Sequence, residues 1–299
     1  MLGIDVGATK IAIGLVDERG VVSDRHEIPT QVASSEILAD DLAVLIKRVI
    51  AKSPTPITAA GIGSAGPIDV DKGTISPVNI SIWRHFQIVA LVKKLTGLNK
   101  VTLIGDVVAL ALGEYQLGSA RHSKNILGLV VSTGIGGGLI LNGQVHNGSS
   151  WNAGFIGHTV IGDSYTQCFC GGIGCIEALS SGPSMTRWAI TNGLDIPGDS
   201  KFEAVAEAAK TKNPIAIEAI RLGTDSLAIA IANAAALLDL DCVVLGGGVA
   251  ESGEVFWKPL QEAFSRRSAH NKFLKVKAIS RCELGKDAGL IGAALYATL

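Results

Sequence analysis

The chain reads as an α/β protein, and three observations carry that reading. A strand, a glycine loop and a second strand occur near residue 5 and again near residue 133. Between and after them, apolar residues recur at helical spacing, as in Ile37, Leu38, Leu42, Leu45, Ile46 and Val49. A further strand, Cys242-Val243-Val244-Leu245, runs into Gly246-Gly247-Gly248 ahead of another helical stretch. Strands interleaved with helices, rather than blocks of each, define the class.

Taken in order, Leu2-Gly3-Ile4-Asp5 alternates as a strand and turns through Gly7-Ala8-Thr9. Residues 10–16 resume the strand, Asp17-Glu18-Arg19-Gly20 is a turn, and Val21-Val22-Ser23 is extended, which makes a β-meander. Residues 35–52 form a helix capped by Ser34 or Ser35. Residues 59–63 are a short strand ending in Ser64-Ala65-Gly66-Pro67, and 101–104 are another. Asp106 opens a helix that runs to about Leu117. Residues 126–132 are a strand entering a loop at 133–138, followed by a strand at 139–141 and a turn at Asn142-Gly143. The C-terminal part predicts a long helix over 214–238, the strand at 242–245, a helix, a strand at 276–278 and a final helix over 285–298.

The 299 residues suffice for two ordinary domains or one large one, and 47% hydrophobic residues allow a large core. Lys and Arg number 26 against 27 Asp and Glu, so no charge-driven affinity for nucleic acid or an anionic membrane is expected. Asp5 and Lys10 interrupt the apolar start, which argues against a cleavable leader, and the apolar run 227–240 reads as a buried helix rather than a membrane span. Five cysteines, three of them within 168–175, speak against a disulfide framework and for a reducing cytoplasm. The 36 glycines fall in clusters, which predicts tight backbone turns around ligands.

Two of those clusters address one chemical problem. Asp5-Val6-Gly7-Ala8-Thr9-Lys10 and Ser132-Thr133-Gly134-Ile135-Gly136-Gly137-Gly138 offer close backbone N–H groups and hydroxyls, as a polyphosphate requires. Neither is a P-loop, and neither is followed directly by the helix of a dinucleotide fingerprint. One such loop alone reads equally well as a hairpin turn; two matched loops plus Gly246-Gly247-Gly248 favour phosphate. Asp5, at the end of the first strand, has the hard oxygens that suit Mg²⁺.

His158, Cys168, Cys170 and Cys175 form a His-x9-Cys-x-Cys-x4-Cys pattern with glycines at 171, 172 and 174. One imidazole and three thiolates are a tetrahedral zinc set, closed and therefore structural. Free buried cysteines or a disulfide are the alternatives, and Cys168 and Cys170 are too close in sequence to bridge easily. Cys242 and Cys282 sit in apolar runs and are expected in the core.

With these residues in place, the chain resembles the ROK family (repressors, open reading frames and sugar kinases) over essentially its whole length. The matching features are Asp5, Gly7 and Thr9, Pro77-Val78-Asn79, the Asp106 helix start, residues 132–138, Gly157-His158, the 168–177 cysteine motif through Glu177, and Gly246-Gly247-Gly248. The resemblance implies a two-domain actin-like ATPase (ribonuclease H-like) fold with an interdomain cleft. The expected domains are 1–107 with the C-terminal helix 285–299, and 108–284. Repressors of the family carry a helix-turn-helix ahead of the first loop, which here begins at residue 5, so a kinase is expected. By the same resemblance, Asp106 accepts the proton of the attacking sugar hydroxyl, and a helix start is expected to keep it ionised. Gly66, Asn79, Asp106, His158 and Glu177 would hold the sugar. Asp5, Gly7, Ala8, Thr9, Lys10, Thr133, Gly134, Gly136 and Gly137 would hold ATP with Mg²⁺, and Gly247 and Gly248 its adenosine side. His158, Cys168, Cys170 and Cys175 would hold zinc. A homodimer or larger homo-oligomer is also implied.

Two positions depart from similar glucokinases, which have Asn before the Asp and Glu three residues before the His; here they are Gly105 and Phe155. Both changes remove partners of sugar hydroxyls. The segment Ala153-Gly154-Phe155-Ile156-Gly157-His158-Thr159 is similar to that of bacterial N-acetylmannosamine kinases, which implies 6-phosphorylation of N-acetylmannosamine; a glucokinase or other hexokinase of the family, or a sugar-binding regulatory protein with little kinase activity, is the alternative.

Overall fold

The computed structural model describes residues 1–161, 165–269, 271–276 and 278–299. β1 (Leu2–Val6), β2 (Lys10–Val16) and β3 (Val22–Pro29) form the meander that the alternation predicts. α1 (Ser35–Ala51) follows, with the Ser34 hydroxyl accepting from the Ile37 N–H at 3.3 Å. Its buried face is Leu38, Leu42, Leu45, Ile46 and Val49. β4 (Ala60–Ser64) pairs parallel with β1. A small hairpin, β5 (Ile68–Asp69) and β6 (Thr74–Ile75), and α2 (Ile88–Thr96) lead to β7 (Val101–Gly105), parallel to β4. The first sheet therefore runs β3-β2-β1-β4-β7.

α3 (Asp106–Gln116) then leads into β8 (Ile126–Val131), β9 (Ile135–Leu141) and β10 (Gln144–His146). Asn142 and Gly143 join the last two strands with φ of 53° and 76°, a turn that demands the left-handed region twice. α4 (Ile176–Ser180), α5 (Gly182–Thr191), α6 (Phe202–Lys210) and α7 (Pro214–Leu238) precede β11 (Cys242–Gly246). α8 (Glu254–Ser268), β12 (Ser280–Arg281) and α9 (Ala288–Tyr296) complete the chain. The second sheet runs β10-β9-β8-β11-β12 and repeats the first: three antiparallel strands, then two parallel additions.

α3 packs on strands of both sheets and on α9, and α9 packs on β1 and β4. One apolar core joins the first sheet to α1, and a larger one joins the second sheet to α5–α8. Among the described residues no helix is long and apolar enough to cross a membrane.

Several sequence expectations need correction. Gly136, Gly137 and Gly138 are strand residues of β9, paired with Val130, Leu129 and Gly128, so the second loop is only residues 132–134. Many glycines serve close packing rather than ligand loops. A Cβ on Gly138 would lie 2.5 Å from the Val108 Cα, one on Gly61 1.7 Å from the Ala293 carbonyl oxygen, and one on Gly292 1.7 Å from that of Ala109. The glycines are what let α3 and α9 lie on the sheets and on each other. The last parallel strand is Ser280–Arg281 rather than 276–278, of which Lys277 lies outside the described residues. The final helix starts at Ala288 after a single 3₁₀ turn, Gly285–Asp287. Cys242 is buried as expected, but Cys282 is half-buried and its thiol donates to Glu114 Oε1 at 2.8 Å.

Candidate active site

In a parallel arrangement the carboxyl ends of the strands share one edge, where open α/β sheets bind ligands. Here β1, β4 and β7 bring Asp5, Ser64 and the Gly105–Asp106 junction to that edge, with Asp5 opposite Gly63 and Ser64 opposite Gly105 in register. Gly63 lies beside this junction: a Cβ there would be in ordinary contact with Ala109 at 3.4 Å and stand 3.7 Å from the Asp106 Cα. Asp106 begins α3, and its Oδ1 accepts from the Val107 N–H at 2.8 Å. Asp5 abuts the start of α9, where a Cβ on Gly289 would stand 2.9 Å from its Oδ2.

Both carboxyls are half-buried. Loss of surrounding water pushes Asp106 up to about 6, against the pull of the Val107 N–H and its own N–H. Burial thus outweighs the helix start in the direction of the shift, while a carboxyl near 6 is still mostly ionised at pH 7, as expected. Asp5 is pushed up to about 7, first by loss of water and then by the charge of Asp106, with Lys10 and Arg25 opposing. The charge of Asp106 adds to the burial that raises the proton affinity of Asp5, a strain on the Asp5 carboxylate that a magnesium ion would relieve, so Asp5 fits that ion.

The first loop is held from outside. The Gly7 N–H donates to the Lys10 carbonyl at 3.0 Å, and Thr30 donates through its N–H to Thr9 O at 3.0 Å and through Oγ1 to Ala8 O at 2.9 Å. Thr9 stays exposed, while Lys10 Nζ is engaged by Glu27 at 2.6 Å. In the second loop, Glu177 Oε2 accepts from the Ile135 N–H at 2.8 Å and lies where a Gly134 side chain would begin. Thr133 sits in the turn between them. The third loop touches the second: Gly247 has φ 99°, a Cβ on it would meet the Val131 carbonyl at 2.5 Å, and the Val249 N–H donates to that carbonyl at 3.1 Å. Gly248 adjoins the Ser132 hydroxyl.

A cleft brings Asp106 together with Gly66, Gly136 and Gly137, and its wall also includes Ser64, Ile68, Trp151, Asn152 and Phe155. A Cβ on Gly66 would stand 3.5 Å from Phe155 Cζ, so this ring reaches the first sheet's side of the cleft. Asn79 sits in an exposed turn, which the Arg84 guanidinium gathers by donating to the carbonyls of Pro77 at 2.7 Å, Ile80 at 3.0 Å and Val78 at 3.3 Å. Sequence reasoning passed over Arg84 and Trp151. A lone arginine after Trp83 carries no pattern, and no periodicity announces a loop tryptophan.

The zinc pattern closes in space. Cys168 Sγ lies 3.9 Å from His158 Nδ1, Cys170 Sγ lies 3.7 Å from Cys175 Sγ, and all four ligand atoms lie within 4.8 Å of one another. Ligands on a tetrahedral ion with Zn–S near 2.3 Å stand about 3.8 Å apart, so the set fits zinc. Burial and the neighbouring thiols push Cys175 up to about 12, a crowding that a divalent ion resolves by displacing the protons. Nδ1 faces the sulfurs, and the exposed ring leaves Nε2 for another partner.

Two sheets of one topology, with carboxylates and glycine loops at the strand ends, define an actin-like ATPase fold. The chain belongs to the ROK family, whose model matches residues 1–298. It is 33% identical over 300 residues to an N-acetylmannosamine kinase of Escherichia coli, covering 99% of this chain and 97% of that one. Among solved structures, a ROK hexokinase from Thermus thermophilus matches with TM-score 0.87 and 33% identity over 100% of this chain and 97% of that one. A ROK family glucokinase from Streptomyces griseus, in complex with glucose and AMPPNP, matches with TM-score 0.85 and 28% identity over 100% and 99%.

Proposed function

We propose that this protein is an ATP-dependent sugar kinase that transfers the γ-phosphoryl group to the 6-hydroxyl of a hexose, with N-acetylmannosamine the favoured acceptor. The observation that carries it is Asp106, half-buried on the cleft wall, with glycine loops at the ends of β1 and β8. Phosphoryl transfer needs positioning and charge neutralisation more than covalent chemistry. Asp106 orients the acceptor hydroxyl and takes its proton; a carboxyl raised to about 6 is mostly ionised at pH 7 and basic enough to help. Backbone N–H groups of residues 8–10 and 133–134 would hold the phosphates, with the Gly7 N–H closing the first turn onto the Lys10 carbonyl, and Gly247 and Gly248 would flank the nucleoside. Magnesium, when bound, would neutralise phosphate charge, and Asp5 is the residue that would hold it, which leaves Asp106 for the acceptor hydroxyl. Zinc, when bound, would fix the His158 ring through Nδ1, leaving Nε2 to hydrogen-bond the sugar together with Asn79 and Glu177.

Phe155 supports the choice of acceptor. It presents an apolar ring in the Asp106 cleft where similar glucokinases place a carboxylate, and an acetamido group suits such a neighbour better than a hydroxyl does. The likeness to the Escherichia coli N-acetylmannosamine kinase agrees. A coupled ADP-release assay over a hexose panel tests the reading; a clear preference for glucose or fructose refutes the acceptor. Gly105 and Phe155 together favour a second reading, a sugar-binding regulatory protein with little turnover, which predicts sugar binding without ADP release. The proposed division into 1–107 with 285–299 and 108–284 is supported by each sheet falling within one of these ranges. A homodimer is proposed with it, and light scattering on a sizing column measures the assembly.

A further inference from the structure

Of the non-glycine residues described with left-handed φ, Trp151 alone lines the Asp106 cleft. The others are Asp24, His85, Asn142, Lys212 and Asp239, mostly the short polar or flexible types that turns tolerate. A tryptophan at φ 60° is not such a residue, because its Cβ crowds the following carbonyl and glycine would serve the turn better. Strained bulky residues persist where their surroundings over-determine them, and they concentrate at ligand sites.

The backbone around Trp151 is held at two points. The Ala153 N–H donates to the Asn147 carbonyl at 3.1 Å and closes the loop around Trp151. Three residues on, Gly154 at φ 92° is pressed onto β9: a Cβ there would meet the Gly137 carbonyl oxygen at 2.8 Å, and a Cβ on Gly137 would meet that of Gly154 at 2.3 Å. The loop is thus clamped to the strand that forms the cleft floor, and the indole is carried on a fixed mount. Phe155 follows on the same wall, with Ser64, Gly66 and Asp106 lining the cleft as well.

We infer that Trp151 is a specificity-determining residue of the acceptor site: its indole is the platform on which the apolar C–H face of a pyranose stacks, leaving the hydroxyl edge for Asp106. A hexose carries polar groups around its rim and C–H bonds on its faces, so a pocket that has lost polar partners at Gly105 and Phe155 gains grip by covering a face instead. Aromatic rings supply large contact area at little conformational cost. This inference rests on the sugar-kinase reading, and its test keeps the two separable.

Trp151→Gly removes the ring and releases the backbone; Trp151→Phe keeps an aromatic face. For the best acceptor of the panel, the Gly variant raises KM by about tenfold or more, the loss lies in KM more than in kcat, and KM for ATP stays put. The Phe variant recovers most of the loss. Thermal stability of the Gly variant does not fall, because glycine accepts the left-handed backbone. Calorimetric titration with glucose and with N-acetylmannosamine, without nucleotide, reads sugar binding apart from turnover. A Gly variant with wild-type acceptor KM and wild-type sugar affinity overturns the inference, as does an equal rise in KM for ATP or a Phe variant no better than Gly. If the wild-type protein binds a hexose without turning over ATP, the kinase reading falls and the Trp151 platform is judged on calorimetry alone. If it binds neither sugar, both fall.

Discussion

Asp106→Asn separates what this residue does for the reaction from what it does to the fold. Asparagine is isosteric, and its Oδ1 still accepts from the Val107 N–H, so the start of α3 keeps its bond. What goes is the charge. A carboxyl raised from 3.8 to about 6 disfavours the folded ionised state by at most about 3 kcal/mol, at 1.36 kcal/mol per pH unit. The sign is fixed: the folded state binds the proton more tightly, so stability falls as pH rises from 3.8 toward 6 and stays lower above that. The Asn variant therefore melts higher than wild type at pH 7, by roughly 4–6 °C for a chain of this size, and the gain disappears near pH 3.5. Turnover meanwhile drops by about 10²–10⁴, the usual worth of a positioned proton acceptor. Calorimetric melts at pH 7 and pH 3.5 beside an ADP-release assay measure both. A variant that melts at or below wild type at pH 7, or that keeps more than about a tenth of the turnover, refutes the reasoning.

Glu114→Gln should destabilise the fold by about 1–3 kcal/mol in a denaturant melt. The fully buried carboxylate accepts from Ser119 N–H and Oγ on one oxygen and from Leu284 N–H and the Cys282 thiol on the other, so the amide group must face a donor. Cys170→Ser should lower bound zinc well below the one ion per chain expected of wild type by atomic absorption, and should raise the acceptor KM. Phe155→Glu should move acceptor preference from N-acetylmannosamine toward glucose, read as the ratio of kcat/KM for the two sugars.

Local signals were the legible ones. The 3.6-residue spacing of Leu38, Leu42 and Val49 predicted the inner face of α1, and Ser34 its cap. The cysteine spacing anticipated a cluster that closes in space, and the Asp106 helix start stands where the sequence put it. What escaped was set by contacts between distant segments. Gly136–Gly138 read as a loop because glycine favours loops, yet they pair with β8 as a strand, and glycine is needed there because the Val107 side chain, the residue 154 carbonyl and the α3 backbone leave no room for side chains. α2 is only nine residues long and ends on Gly97 at φ 71°, too short for its periodicity to stand out. The net push on Asp106 depends on burial, which no sequence position reports. Glu114 looks like an ordinary helix-surface acid until residues 282–284 come to meet it from the far end of the chain.

The short helix α4 joins the cysteine cluster to the second glycine loop. Cys175 caps its start, Glu177 two residues on fastens the Ile135 N–H, and the Gly182 N–H just beyond its end donates to the Ser132 carbonyl at 2.9 Å. One short splint thus spans the cysteine cluster and the turn that would cradle the nucleotide. Through this link the proposed sugar-side cluster and the proposed nucleotide turn share one support, while a change confined to the cleft wall, such as Trp151→Gly, touches the sugar alone. Stripping the metal should loosen both grips together, so the supply of zinc would act on it as a single on–off control.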